Sequence, residues 1–173
     1  VSDTKVTFGA GAFYFNPDLY ELYVGLSSSH IKPQQYAYGT GGAVNVVTAR
    51  HFYLMAGMKF ENFIGNPALT LDPSILLKTV NDQGGFVKPQ LDLQGIVTWN
   101  QLYAGGLNFR ANAFGVDAIS VMLGYYPPIA GNDPASNGNK LLRVGYAYDI
   151  TLQALRKSSN GTHELQVNYC FRI

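Results

Sequence analysis

Residues 162–173 read Thr162-His163-Glu164-Leu165-Gln166-Val167-Asn168-Tyr169-Cys170-Phe171-Arg172-Ile173, or THELQVNYCFRI. From Leu165 every odd position is apolar, and from Glu164 every even position is polar, charged or cysteine. Alternation of this kind sends the two sets of side chains to opposite faces of an extended strand. A half-buried strand of a soluble sheet shows it for about four to eight residues. Here it holds as far as Ile173. What the apolar face meets, a second sheet or lipid, decides the fold.

The same alternation recurs upstream. Leu142, Val144, Tyr146, Tyr148 and Ile150 face away from Arg143 and Asp149. Ile119, Val121, Leu123 and Tyr125 form another stripe, and Tyr103, Leu107 and Phe109 oppose Asn108, Arg110 and Asn112. Leu91, Leu93, Val97 and Trp99 oppose Gln90, Asp92, Gln94 and Thr98. Further runs cover Val6–Tyr14, Tyr20–Leu26, Gly41–Val47, Phe52–Phe60 and Leu69–Leu77, the last interrupted by Pro73. Turn signals such as Asn16-Pro17-Asp18, Gly65-Asn66-Pro67 and Asn81-Asp82-Gln83-Gly84-Gly85 separate them. The pattern predicts an all-β chain of about ten antiparallel strands in a single domain over residues 1–173.

Composition narrows the choice. Of 173 residues 47% are hydrophobic and only 13% charged, against about 25% charged in an ordinary soluble domain. Twelve Tyr, ten Phe and 19 Gly suit strands that bend and present rings at an interface. A net charge of +1 gives no field for nucleic acid. One cysteine leaves no disulfide pair. No window holds the roughly 18 consecutive apolar residues of a transmembrane helix. Val1-Ser2-Asp3-Thr4-Lys5 leads straight into a strand pattern, without the look of a signal peptide.

Three features favour a transmembrane β-barrel over a soluble sandwich. Aromatics stand near stripe ends, at Tyr14, Trp99, Tyr103, Tyr125, Tyr148 and Phe171, as in an interfacial girdle. Several strands reach about the ten residues that a tilted crossing needs. The polar faces carry both signs of charge, at Asp92, Arg110, Arg143, Asp149, Glu164 and Arg172, which suits a lumen.

Catalytic, cofactor and metal chemistry find no support in the sequence. His30, His51 and His163 lie in separate segments, and His163 and Glu164 point to opposite faces of one strand. Gly39-Thr40-Gly41-Gly42 neither opens a helix nor ends in the Gly-Lys-Ser/Thr of a phosphate cradle. Asn160-Gly161 reads as a hairpin turn, and Cys170 as a small inward residue.

The segment LRVGYAYD (Leu142–Asp149) carries a family likeness, followed by Thr151-Leu152, Leu155-Arg156, Ser158-Ser159-Asn160-Gly161-Thr162-His163-Glu164 and Asn168-Tyr169-Cys170-Phe171. It resembles the C-terminal half of the PorP/SprF family of outer-membrane proteins. LYVGLSSSH (Leu22–His30) and LYAGGLNFR (Leu102–Arg110) fit the same family. The resemblance implies a barrel in the bacterial cell outer membrane that serves type IX secretion and gliding motility. Its implied partners are secreted surface proteins such as adhesins, periplasmic secretion or motor components, and outer-membrane lipid. Members are usually longer, so strands N-terminal to this chain are expected. Tyr169 and Phe171 resemble a barrel C-terminal assembly signal, although Arg172-Ile173 follow.

With Ile173 taken as periplasmic and about ten crossings counted back, Pro127–Lys140 and Ser28–Thr40 both fall on the periplasmic rim. Long inner loops invert the usual porin pattern. Asn132, Asp133, Asn137 and Lys140 become candidates for partner contact. The expected function is a non-enzymatic anchor or export accessory. A passive channel or hydrophobic-solute transporter and a soluble ligand-binding β-protein are the alternatives.

Overall fold

A computed structural model describes residues 5–38, 44–82, 85–113, 115–127, 142–152 and 161–169. Apart from one 3-10 turn at Phe63–Gly65, the regular elements among the described residues are all β-strands. The strands are β1 (Ala10–Asn16), β2 (Leu22–Ser29), β3 (Gln35–Tyr38), β4 (Val44–Val47), β5 (Arg50–Gly57), β6 (Phe60–Glu61) and β7 (Leu69–Asp82). They continue with β8 (Gly85–Phe86), β9 (Gln90–Trp99), β10 (Tyr103–Asn112), β11 (Gly115–Tyr125), β12 (Leu142–Thr151) and β13 (Thr162–Tyr169).

One antiparallel sheet runs β1-β2-β5-β7-β9-β10-β11-β12-β13, with β6 and β8 as short additions on β7. It is a meander: each long strand pairs with the next along the chain. Proline explains two interruptions. Met58 N donates to Pro73 O at 3.2 Å, but Pro73 has no N–H to return the bond. The ladder therefore breaks between β5 and β6 while β7 runs unbroken through Pro73. Pro89 lies in the corresponding gap between β8 and β9, where the register against β7 slips by one residue.

Exposure decides what the apolar stripes meet. They lie on the outer surface: Leu26, Leu54, Ile75, Leu93, Leu107, Val121 and Val167 are all exposed, and Leu123 and Leu165 are 60% and 73% accessible. The most buried side chains are instead small or polar: Ala118 at 5%, Ser120 at 5% and Asp92 at 8%, all on the opposite face. No large side chain among the described residues is fully buried. A water-soluble protein rarely leaves more than a few hundred Å² of contiguous apolar surface uncovered. This sheet is inside-out, apolar outward and polar inward, as the wall of a membrane barrel is.

Outward rings form a ladder at one edge of that band. Trp99 and Tyr103 stack at 6.1 Å between centroids, and Tyr103 and Tyr125 at 5.5 Å. Each pair is in direct cross-strand register. Tyr14 points outward from the same end of β1, while Tyr148 meets His163 at 4.7 Å near the other end of β12.

The structure corrects the place of one run. The run expected around Gly41–Val47 does not cross with the others; Gly41–Ala43 are outside the described residues, and β4 pairs only with β3. Four-residue strands are too short for a crossing, which takes about 9–11 residues. Gln34 and Thr48 clasp the base of this hairpin: Gln34 N donates to Thr48 Oγ1 at 2.8 Å, and Thr48 N to Gln34 O at 2.9 Å. β2 thus pairs directly with β5. The connection 30–49, which contains the hairpin, falls at the same end of the sheet as 83–84, 113–114 and 152–161. Connections 17–21, 62–68, 100–102 and 126–141 share the opposite end, here the first rim. Ser28–Thr40 and Pro127–Lys140 therefore stand at opposite rims, and the expectation of two long loops on one rim fails.

Candidate functional site

The inward face is the only surface of the described sheet that concentrates polar side chains, and it contains two ionic groups. In the first, Asp92 on β9 accepts from Arg110 Nε on β10 at 3.0 Å and pairs with Lys78 Nζ on β7 at 2.6 Å. Gln90 Nε2 adds a longer bond to Asp92 at 3.3 Å. Arg110 also reaches Asp149 on β12 at 4.0 Å. Strand register causes this convergence, because Asp92 stands opposite both Arg110 and Leu76, one inward step from Lys78. Beside it, Ser74 Oγ donates to Gln94 Oε1 at 3.3 Å, and Gln94 Nε2 lies 3.3 Å from Met122 Sδ.

The second group lies toward the first rim. Lys59 Nζ is 3.0 Å from Glu21 and 3.8 Å from Glu61. These three share a cavity of about 690 Å³ with Asp72, Gln101, Arg143 and Tyr126. Phe15 and Tyr23 of β1 and β2 line the same space as Arg143 of β12, so the sheet curls until early and late strands face one another. The Arg143 guanidinium sits over the Tyr126 ring at 5.4 Å. That pair also borders a smaller cavity of about 290 Å³, lined by Gly106, Gly124, Gly145, Ala147, Glu164 and Gln166 among others.

The two sides of the lumen differ in character. On the β1–β5 side, aromatic and thioether side chains fill space: Tyr23 lies over Gly57, and Met55 and Phe13 close over Gly25. On the β10–β12 side, Ala104, Gly106, Gly124, Gly145 and Ala147 leave the wall low. The result is a polar, two-signed recess with amide, hydroxyl and aromatic groups. Among the described residues no group of three His, Cys, Asp or Glu side chains is placed to hold a metal ion.

The structure treats the expected residues unequally. Asp92, Arg110 and Asp149 come together in one network, while Arg143 and Glu164 line cavities. The charges of β12 and β13 do not oppose each other: Arg143 faces Asn168, Glu164 faces Ala147, and Asp149 faces Thr162. Tyr169 is exposed on the outer face at the end of β13. Arg172, Phe171, Asn132, Asp133, Asn137 and Lys140 lie outside the described residues. Sequence reading missed Glu21, Lys59, Glu61 and Asp72. Lys59 and Glu61 share the polar parity of their strand and carry a usable signal; Glu21 hides in a turn, and Asp72 beside Pro73. His163 faces outward, with Tyr146 Oη at 2.7 Å from its Nδ1, and Glu164 faces inward, as the alternation predicts.

An antiparallel meander with an exposed apolar exterior and an ionic interior defines the class: a β-barrel-type membrane protein. Comparison with protein families then places it more narrowly. Residues 1–169 match the model of the type IX secretion system membrane protein PorP/SprF family, and the chain belongs to that family. No curated protein and no solved structure matches it.

Proposed function

We propose that this chain forms the wall of an outer-membrane barrel that anchors surface proteins, such as adhesins, or assists their export in type IX secretion. Recognition is by the lumenal recess and the first rim, and no bond is broken. The recess of about 690 Å³ is the observation that carries this reading. It holds charges of both signs and is lined by Tyr126, where the connection 126–141 that contains Asn132, Asp133, Asn137 and Lys140 begins. In this reading the first rim is periplasmic and takes periplasmic secretion or motor components, and the exterior meets outer-membrane lipid.

Side chains that occupy the β1–β5 side of the lumen favour a recognition site over a free-diffusion channel. Affinity purification from native membranes tests the proposal. Recovery of a large surface protein or a periplasmic motor component is expected, with capture reduced on deleting Asp133–Asn139 or on replacing Lys59 and Arg143 by Ala. Recovery of neither class of partner would sink it, and steady ion conductance in planar bilayers would favour the channel instead.

A further inference from the structure

His30 follows β2 and His51 stands near the start of β5, one on either side of the β3–β4 hairpin. Sequence separation hides any relation between them, and the β2–β5 pairing supplies one: Ser29 lies directly opposite His51. His51 shares the inward parity of Met55 and Gly57. His30 takes a positive φ of 52°, which breaks the strand alternation after Ser29. Its ring lies 6.1 Å from that of His51, centre to centre, with the planes at 58°. Tyr53, on the same face of β5, stacks on His51 at 6.4 Å.

His30 Nδ1 is buried and has no hydrogen-bond partner among the described residues. A ring nitrogen held out of water is unfavourable unless something meets it, and an ion is one such partner. Neutral imidazole suits divalent zinc, copper or nickel. With metal–nitrogen bonds of about 2.0–2.1 Å, two imidazoles that share one ion have ring centres about 5–6 Å apart. The observed 6.1 Å asks for only a small turn of either ring. Nearby positive charge is directed elsewhere: Lys78, opposite Tyr53, pairs with Asp92 at 2.6 Å, and Arg50 takes the other face of β5 from His51. His163 differs, because Tyr146 Oη already meets its Nδ1 at 2.7 Å.

We propose that His30 and His51 form a two-histidine site for a divalent transition-metal ion at the rim opposite the first. Among the described residues no third histidine, cysteine or carboxylate joins them, so solvent fills the remaining coordination positions. The ion ties β2 to β5 at the root of the connection 30–49, beside the clasp of Gln34 and Thr48. Closing that loop at its base restricts the β3–β4 hairpin, which pairs with no other strand among the described residues. The role is structural, and it stands apart from the recess and its partners.

The test uses the full protein in detergent, purified without a histidine tag and stripped with chelator. Cu²⁺ alone is titrated in, and electron paramagnetic resonance counts the nitrogens bound to it. A two-nitrogen site is expected, with His30→Ala and His51→Ala each weakening binding about 10-fold or more and leaving one nitrogen. His163→Ala is expected to change nothing. Zn²⁺ added to the unmodified protein should slow hydrogen exchange in Gln35–Tyr38 and Val44–Val47, and should have no such effect in His30→Ala. No two-nitrogen site, its survival in either variant, its loss in His163→Ala, or exchange indifferent to Zn²⁺ overturns the proposal. Heat-dependent gel mobility verifies that each variant is folded, and the exchange measurement on the unmodified protein needs no substitution.

Discussion

Asp92 on β9 and Arg110 on β10 stand directly opposite each other, and Arg110 Nε donates to Asp92 Oδ1 at 3.0 Å. Lys78 approaches the other carboxylate oxygen, so one acid joins three neighbouring strands. Removing one partner of a buried charge group leaves the others uncompensated, at about 3–5 kcal/mol. Lys78 and Arg110 are partly exposed, which places this case at the lower end. Asp92→Ala is expected to lose about 3 kcal/mol. Urea unfolding from detergent micelles checks it, and Asp92→Asn, which keeps acceptor geometry, should cost less.

Outward positions behave oppositely to those of a soluble protein. Val121 is exposed and mid-strand on β11, between Leu107 and Tyr148 in register. On a lipid face Val121→Arg costs about 2–4 kcal/mol. In water the same exposed change would fall within about 0.5 kcal/mol. Folding into vesicles across a urea series distinguishes the two, with inward Gln166→Arg expected to be the milder change.

Glycine substitutions separate tight from open wall. A Cβ at Gly106 would lie 2.9 Å from Gly95 O and from Ile96 Cγ1, so backbone must move. Gly106→Ala is expected to destabilise by about 1–3 kcal/mol. Gly105, one residue away and facing outward, meets nothing within 4 Å. Gly105→Ala is therefore expected to gain about 0.5–1 kcal/mol from reduced chain entropy. The two melting or urea midpoints should move in opposite directions.

The β9–β10 turn holds both Asn100 and Gln101 at positive φ, 49° and 56°, with Leu102 N donating to Trp99 O at 2.9 Å. Positive φ at both central residues is the type I′ turn geometry, here within a three-residue connection, and it favours Asn and Gly at those positions. Gln101→Gly is expected to stabilise the hairpin by about 1 kcal/mol, since a left-handed conformation strains other residues by about 1–2 kcal/mol. Higher resistance to heat on a denaturing gel would register the gain; a loss would contradict this reading of the turn.

Period-two alternation determined the faces of the strands before any partner was known. Leu165 and Val167 point outward and Glu164 and Gln166 inward because successive side chains on a strand must oppose. Low charge and rings at stripe ends made lipid the better reading of the outer face, and exposure of that face agrees. Local pattern could not say which ladder a strand joins. Val44–Val47 has strand character whether it spans a membrane or folds back on Gln35–Tyr38, and hydrogen bonding over distance chose the second. That choice reversed which long loops share a rim. It took the register of β7, β9 and β10 to bring Lys78, Asp92 and Arg110 to one point, and the curl of the sheet to set Phe15 beside the cavity that Arg143 enters. Face follows from backbone geometry at each residue; neighbour and register follow from the pairing of residues far apart in the chain, which only the folded sheet fixes.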